Sequence, residues 1–228
     1  MDFNEAEKSI GVTFQNKVLL KQAFTHRSYL NENKNTGLEH NERLEFLGDA
    51  VLELVVTDYL FLKYTKKPEG ELTALRSALV NSVMLAGIST ELNFNNFLLL
   101  SKGESKDTGR ARQYILANTF ESVVGAIYLD SGYESAKEFI SRVLLPKTAE
   151  IEEKRLWIDA KSYFQEKSQE AVGITPSYKT LKESGPDHDK EFTVGLFLGE
   201  SLIASGSGKS KQEAEQDAAR IGLEKKGW

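Results

Sequence analysis

The sequence contains no cysteine. This absence excludes a disulfide framework and any metal site built from thiolates, and it is compatible with a reducing cytosol. The beginning of the chain also lacks the basic and apolar regions of a signal peptide, because Met1 is followed by Asp2, Glu5 and Glu7. We therefore expect a cytoplasmic protein.

A long hydrophobic run is also missing. The stretch Gln113–Leu129 is nearly free of charged residues, but it contains Glu121 together with several polar side chains. It is shorter than the roughly 18–20 apolar residues that a membrane span requires. With 228 residues, 40% of them hydrophobic and 28% charged, the chain suits one large or two small globular domains without a membrane segment.

The third absence is an excess of positive charge. Lysine and arginine number 29 and the acids 34, so the formal net charge is −5. Residues 1–153 carry 17 basic and 22 acidic side chains, and residues 154–228 carry 12 of each. Because a nucleic-acid-binding protein usually has a basic footprint, such a partner would require lysines that are grouped locally.

The hydrophobic pattern predicts an all-α amino-terminal half. Apolar residues recur with helical spacing in five stretches, which are Asn16–His26, Asn41–Lys63, Leu72–Leu92, Tyr114–Leu129 and Ala136–Leu145. Glycine, proline and charge predict loops at Pro68–Gly70 and Ser101–Arg112. We assign residues 1–150 to this helical domain.

After Pro146 the pattern changes, and residues 156–228 predict a small α+β domain of the order α-β-β-β-α. The short charged segment Lys147–Arg155 is interpreted as a linker. Helices are predicted at Asp159–Val172 and at Ser210–Lys226, where a capping box opens the second one. Alternating apolar residues predict strands at Ser177–Ser184, Glu191–Leu198 and Ser201–Gly206. A tight turn is predicted at Gly199 and Glu200.

Four acids share one face of the helix predicted over Asn41–Lys63. At 100° per residue, Glu42, Glu45, Asp49 and Glu53 lie within about 80° of one another. The other faces carry Leu44, Phe46, Leu47, Val51, Leu52, Leu54 and Val55. We therefore expect the acids to run along a helix that is otherwise largely buried. Enclosed carboxylates repel one another and lose solvation, so they require basic partners or a divalent cation.

A second acidic position lies elsewhere in the chain. Glu121 is the only charged residue between Arg112 and Asp130, and Asn118 precedes it by one helical turn. A lone carboxylate in an apolar helix is rarely left unpaired. Oxygen ligands without cysteine or paired histidine favour Mg²⁺ or Mn²⁺ over zinc, and such a site supports attack of water on a phosphodiester. The alternative that these acids form a solvated face, neutralised by lysine or arginine, stays open.

The string HNERLEFLGDAVLE (His40–Glu53) closely resembles the signature of the ribonuclease III family, bacterial endonucleases of double-stranded RNA. The resemblance extends to AFTHRSY (Ala23–Tyr29), Glu69 with the glycine after it, Leu75–Asn81 and ILANTFESVVGAIYLD (Ile115–Asp130). The second half resembles the family's double-stranded-RNA-binding domain. Effectively the whole chain is covered.

This resemblance implies a helical endonuclease domain followed by an α+β RNA-binding domain. It implies a homodimer that hydrolyses both strands of duplex RNA with Mg²⁺, leaving 5′-phosphate and 3′-hydroxyl ends, in rRNA and mRNA processing. By the resemblance, Glu45, Asp49 and Glu121 match the metal-binding and catalytic acids of the family. Glu45 and Glu121 are expected to hold the metal, while Asp49 and Glu121 position the attacking water. Glu42 and Glu69 match further acids of the site.

One position departs from the family pattern. Asn118 stands where the family usually has aspartate. Its amide oxygen can still coordinate a hard cation but brings no charge, so we expect weaker metal binding. Two alternatives stay open, a duplex-RNA-binding protein that has lost cleavage and a helical phosphohydrolase of small phosphates. Duplex RNA with Mg²⁺ distinguishes the nuclease from the first alternative, because the nuclease would cut the duplex and the binding protein would only bind it.

The resemblance also assigns an RNA-binding surface to the second half. Its residues are Ser162, Gln165, Glu166 and Gln169 on the first helix, His188 in a loop, and Lys209 and Lys211 before and at the start of the last helix. The helix and the loop would reach two minor grooves, and the lysines would meet phosphates. Without the resemblance, these residues are ordinary surface side chains.

Overall fold

The computed structural model describes residues 3–153, 159–186 and 190–228. The chain divides into two compact units, Met1–Trp157 and Ile158–Trp228. The first unit is helical and the second has the order α-β-β-β-α, so the predicted fold class is confirmed. The domain bounds of 1–150 and 156–228 stay a prediction.

Helices α4 and α7 form the centre of the first unit. The described helices of this unit are α1 (Phe3–Ile10), α2 (Lys17–Ala23), α3 (Arg27–Glu32), α4 (Glu42–Lys63), α5 (Glu69–Val80), α6 (Ser82–Glu91), α7 (Arg110–Val143) and α8 (Lys147–Glu153). Leu52 and Val56 of α4 pack in one core with Phe120 and Val124 of α7, and all four are fully buried. This core holds the two acidic stretches of the sequence on neighbouring helices.

The prediction of one helix over Leu72–Leu92 is wrong, because the stretch forms α5 and α6 with a bend of 42° between them. Asn81 separates the helices: its backbone is extended, and its side-chain oxygen accepts a hydrogen bond from Met84 N at 2.9 Å. An asparagine that caps a new helix competes with continuation of the old one. The loop predicted at Pro68–Gly70 is also partly wrong, since Glu69 already opens α5.

Two further predictions, which concern α7 and the segment after it, differ from the structure. Helix α7 joins the helices predicted at Tyr114–Leu129 and Ala136–Leu145, and a kink at Gly132, where φ is 84°, marks the boundary between them. The predicted linker is helical over Lys147–Glu153, where Ile151 is buried in the first core. Its apolar side chain, placed among charged residues, gives this short helix a buried side.

The second unit packs two helices on one antiparallel sheet. Its elements are α9 (Ala160–Val172), β1 (Ser177–Ser184), β2 (Glu191–Leu198), β3 (Ser201–Gly208) and α10 (Lys211–Lys226), with strand order β1-β2-β3. The predicted turn at Gly199 is confirmed, with a φ of 59°. Strand β3 is two residues longer than predicted. The capping box is confirmed, because Ser210 Oγ accepts a hydrogen bond from Glu213 N.

In the described ranges, no single helix has the length and apolar character to cross a membrane. Only the bent pair α5 and α6 together reaches that length and composition.

Candidate functional site

Two glycines allow α4 and α7 to cross at very short distance. A Cβ atom added to Gly48 of α4 would lie 1.7 Å from the carbonyl oxygen of Glu121. A Cβ atom added to Gly125 of α7 would lie 2.2 Å from the carbonyl oxygen of Leu44. Since neither position tolerates a side chain, the helices touch through their backbones. The crossing therefore brings Glu121 beside the acidic face of α4.

The acids at this crossing are close enough to act on one another electrostatically. Burial raises the pKa of Glu121 to about 8, and the negative charges of Asp49 and Glu45 add to the shift. Burial also raises the pKa of Glu45, with Glu42 and Asp49 contributing, while a hydrogen bond with Asn118 opposes the rise. Like charges shift a pKa in this way only at short range. The structure thus brings Glu45, Asp49, Glu121 and Asn118 together.

Basic neighbours do not neutralise the centre of this cluster. In residues 3–153, Glu45, Asp49 and Glu121 form no salt bridge with lysine or arginine, and no basic group is among the causes of their pKa shifts. Burial raises the pKa of Asp49, and the charge of Glu53 adds to it. The interpretation that basic side chains neutralise these acids is therefore not supported for the three central ones, although Asp49 is exposed to solvent.

Glu42 and Glu69 differ in their relation to the cluster. Glu42, the first residue of α4, has Oε1 at 3.3 Å from Arg27 Nη1 and Oε2 at 3.7 Å from His40 Nδ1. Glu69, the first residue of α5, accepts a hydrogen bond from Thr73 Oγ1 at 3.0 Å. Glu69 does not contribute to the pKa shifts of the central acids. The structure therefore brings Glu42 to the edge of the cluster and leaves Glu69 outside it.

Three large apolar side chains on one side of α4 face solvent. Phe46 is 81% exposed, Leu54 57% and Phe61 68%. At 100° per residue they lie within about 80° of one another, and we call them the α4 stripe. The expectation that α4 is largely buried around its acids is therefore wrong for Phe46 and Leu54. Among residues 3–153 nothing covers these three side chains, and they lie next to the acidic face.

The carboxylates are near one another but do not converge on a point. In the part of the chain that the structure describes, no group of three or more histidine, aspartate or glutamate side chains is arranged to hold a metal ion. Ionised carboxylates repel one another, and this repulsion favours such a spacing. The donor set itself fits a hard cation, because it consists of carboxylate oxygens and one amide oxygen without a neutralising base.

The predicted RNA-binding residues of α9 share one exposed face. Ser162, Gln165, Glu166 and Gln169 are spaced at i, i+3, i+4 and i+7, and all four are exposed. Gln169 Nε2 donates a hydrogen bond to Thr175 Oγ1 at 2.6 Å. The side chain of Ser162 forms a hydrogen bond with Asp159, and Gln165 and Glu166 expose an amide and a carboxylate group along the helix.

The two predicted lysines lie before and at the start of α10. Lys209 and Lys211 are both exposed. Lys211 Nζ lies 2.9 Å from Glu183 Oε1 of β1, and the backbone N–H of Lys209 donates to Glu213 Oε2 at 2.9 Å. Part of the charge at this end is thus shared with exposed acids. His188 lies outside the described residues.

Known proteins resemble both units. A ribonuclease-III-like family model matches residues 16–148, and the double-stranded RNA binding motif matches residues 160–226. Ribonuclease 3 of Carboxydothermus hydrogenoformans is 47% identical over 96% of this chain and 93% of its own, and that of Streptococcus gordonii is 45% identical over 94% and 92%. The chain belongs to the ribonuclease III family.

A solved structure agrees with this assignment. The nuclease domain of ribonuclease III from Campylobacter jejuni is 41% identical, with a TM-score of 0.58, and the match covers 64% of this chain and 99% of that domain. As a member of the ribonuclease III family, the chain is a double-strand-specific endoribonuclease with an RNA-binding domain. The alternative of a phosphohydrolase for small phosphates receives no support.

Sequence reasoning missed several residues of this ribonuclease III site. The contacts of Gly48 and Gly125 were not foreseen, although each is a glycine inside an otherwise apolar helix, which is a detectable signal of close packing. Glu53 receives no role in the site from the sequence, yet its charge raises the pKa of Asp49. The pairing of Arg27 with Glu42 had no signal, because 15 positions and a loop separate them.

Proposed function

We propose that this ribonuclease III hydrolyses both strands of duplex RNA with Mg²⁺, which Mn²⁺ can replace. One observation carries the proposal: Glu45, Asp49 and Glu121 are drawn together by the helix crossing, and no basic residue that the structure describes pairs with them. Like charges that are held together and partly shielded from water are unfavourable unless a cation compensates them. The products would be 5′-phosphate and 3′-hydroxyl ends, and the substrates rRNA and mRNA precursors in the cytoplasm.

The proposed roles follow from position. Glu45 and Glu121 would hold the ion, together with the uncharged oxygen of Asn118. Asp49 and Glu121 accept hydrogen bonds from a water molecule and orient it. When bound, the ion supplies positive charge to the acids and to the scissile phosphate. Glu42 is assigned as a further acid at the edge of the site, whereas Glu69 lies outside the cluster and is assigned no contact with the ion.

Hydrolysis then balances as follows. The oriented water forms the new bond from its oxygen to phosphorus, and the bond between phosphorus and the 3′-oxygen breaks. The phosphate stays on the 5′-oxygen of the downstream nucleotide. The proton that the water loses and the proton that the 3′-oxygen gains are exchanged with solvent, so one water is consumed for each bond cut.

The second domain is proposed to bind the duplex by its shape. Ser162, Gln165, Glu166 and Gln169 on α9 would contact 2′-hydroxyls and base edges in a minor groove. His188 would reach a second minor groove. Lys209 and Lys211 would bind phosphates near the free N–H groups at the start of α10. Little sequence preference is expected from such contacts.

The enzyme is proposed to be a homodimer joined through the α4 stripe. Contiguous exposed apolar groups of this size are typical of interaction surfaces. The related Campylobacter jejuni nuclease domain is described as having a region involved in dimer formation. A dimer would supply one acid cluster for each strand of the duplex.

The decisive test of the catalytic site is Glu121→Gln. This change keeps the size of the side chain but removes a charged ligand, so cleavage of duplex RNA with Mg²⁺ should fall at least about a hundredfold. Binding to duplex RNA without divalent cations should be unchanged. Glu138→Gln, an exposed acid on the same helix, is the matched control and should cleave normally. Unchanged turnover of Glu121→Gln would refute the site.

A second candidate function is duplex binding without cleavage. It is favoured by the hydrogen bond between Asn118 and Glu45, because an amide here contributes no negative charge for a cation. A gel decides between the two. The enzyme converts duplex RNA to shorter products when Mg²⁺ is added, whereas the binding protein only retards its migration.

A further inference from the structure

The segment that carries the AFTHRSY motif is held by hydrogen bonds to Asn41, which precedes α4, and to residues 99–101. Asn41 N donates to the carbonyl of Thr25 at 3.0 Å, and His26 N donates to the carbonyl of Leu99 at 3.1 Å. Ser28 Oγ lies 2.8 Å from His26 Nδ1 and accepts from Ser101 N at 3.1 Å. Arg27, between these anchored residues, is therefore held at a fixed place beside the amino-terminal end of α4.

The side chain of Arg27 points to the acid cluster and remains open to solvent. Its Nη1 lies 3.3 Å from Glu42 Oε1, and the side chain is 68% exposed. A guanidinium has five N–H donors, so one contact to Glu42 leaves most of them facing solvent. Because an exposed ion pair stabilises a fold only slightly, stabilisation alone does not explain why so rigid a segment presents this side chain.

The position of Arg27 matches what an approaching RNA strand needs. Glu42, Glu45 and Asp49 follow one another along α4, and Glu42 is itself close enough to raise the pKa of Glu45. A phosphodiester that reaches these acids brings neighbouring phosphates of the same strand, which the acids repel. Among the described residues, Arg27 is the arginine that pairs with an acid of this face. Guanidinium groups bind phosphate oxygens in a bidentate manner.

We propose that Arg27 is an RNA-binding residue of the nuclease domain, which contacts a backbone phosphate next to the scissile bond, and that Glu42 positions it. The inference rests on the proposed function, because it takes the acid cluster as the place of cleavage. It gives Glu42 a role that does not require it to touch the metal.

The test uses the full chain with Arg27→Gln, Arg27→Lys and the control Lys8→Gln, which removes one exposed positive charge from α1. Binding to a blunt RNA duplex is measured without divalent cations over a range of salt concentrations. Loss of one phosphate contact should reduce the slope of log K against log salt by about one. We expect this reduction for Arg27→Gln, and wild-type slopes for Arg27→Lys and Lys8→Gln.

Cleavage with Mg²⁺ gives a second readout. Loss of a hydrogen bond to a charged group should lower kcat/KM of Arg27→Gln by about tenfold or more, and Arg27→Lys should recover part of it. A merely structural arginine would lower Tm and leave the salt slope unchanged. That result, or an equal loss of slope in Lys8→Gln, would overturn the proposal.

The role of Glu42 is tested by combining substitutions. If Glu42 acts by holding Arg27, Glu42→Gln should cost little in kcat/KM once Arg27→Gln is present, whereas independent roles would add. Additive losses would overturn the positioning role. The proposed catalytic site and the proposed phosphate contact can be rejected separately. If Glu121→Gln is active, the acid cluster is not the catalytic site. If Glu121→Gln is inactive but Arg27→Gln behaves like the wild type, only the phosphate contact is rejected.

Discussion

At the scale of single residues, Glu121 stores unfavourable electrostatic energy that a cation could release. Burial and the charges of Asp49 and Glu45 raise its pKa from an ordinary value of 4.5 to about 8. Holding a carboxylate in this environment costs stability when it is ionised, and each pKa unit corresponds to about 1.4 kcal/mol. Ionised Glu121 therefore lowers the stability of the enzyme without a cation, and a bound positive charge stabilises this residue most.

A pH-dependent stability follows for the enzyme without divalent cations. Between pH values of about 4.5 and 8, folded Glu121 keeps a proton that the unfolded chain has lost. The unfolding free energy therefore falls as pH rises through this window. Glu121→Gln does not titrate, so its advantage in Tm over wild type should be larger at pH 9 than at pH 5, by more than about 2–4 °C.

Thermal unfolding in EDTA at several pH values measures this difference. Glu138→Gln serves as the control, and its Tm difference from wild type should stay flat with pH. A difference between Glu121→Gln and wild type that does not change with pH would contradict the raised pKa. Added divalent cation should reduce the advantage, because binding to the folded wild type stabilises it.

The residues of the site were predictable to different degrees. Helical spacing placed Glu42, Glu45 and Asp49 on one face, and the isolation of Glu121 in an apolar helix marked it as a candidate. That these stretches meet depends on packing between distant helices, which spacing within one helix does not determine. The expectation that these acids meet therefore came from the family resemblance, and the pairing of Arg27 with Glu42 was found only in the structure.

At the scale of elements, the crossing of α4 and α7 sets the separation of the acids. Gly48→Ala should force the backbones apart, because the new Cβ would lie 1.7 Å from the carbonyl oxygen of Glu121. We expect a loss of about 1–3 kcal/mol in unfolding free energy. Since a displacement of about 1 Å can cost about a hundredfold in rate, cleavage should fall much further than stability does.

Gly125→Ala, with its 2.2 Å approach to Leu44, should behave in the same way but more mildly. Gly87→Ala is the matched control, because it lies in α6 with nothing within 4 Å of an added Cβ. It should raise the unfolding free energy by about 0.5–1 kcal/mol and leave cleavage unchanged. Denaturant unfolding and single-turnover cleavage measure both effects. Full activity of folded Gly48→Ala enzyme would contradict a role for the crossing.

The elements themselves were predicted best where the hydrophobic period is long and least well at breaks. The strands of the second unit alternate clearly, so their predicted starts and the turn at Gly199 agree with the structure. The break at Asn81 was missed because apolar residues continue on both sides of it. Only the side-chain cap to Met84 reveals a new helix there.

At the scale of the whole molecule, an acid cluster and an apolar surface share one helix. Phe46 of the α4 stripe directly follows Glu45 in the chain and is 81% exposed. If two copies associate through this stripe, their acid clusters are brought to the same assembly, which is what cutting two strands requires. In a twofold interface each substitution acts twice, so a single charge should have a large effect.

Phe46→Glu and Phe61→Glu should therefore convert the dimer to a monomer, because each places two unpaired charges in an apolar contact. Sedimentation equilibrium measures the mass of each variant across a concentration series. Val18→Glu is the control: it adds the same charge at a residue of α2 that is 61% exposed and should leave the dimer intact.

The monomeric variants should still bind duplex RNA, since the second domain is unchanged, but should lose coordinated cleavage of the two strands. Variants that remain dimeric would place the contact elsewhere on the nuclease domain, and monomers that still cut both strands together would separate dimer formation from the double cut.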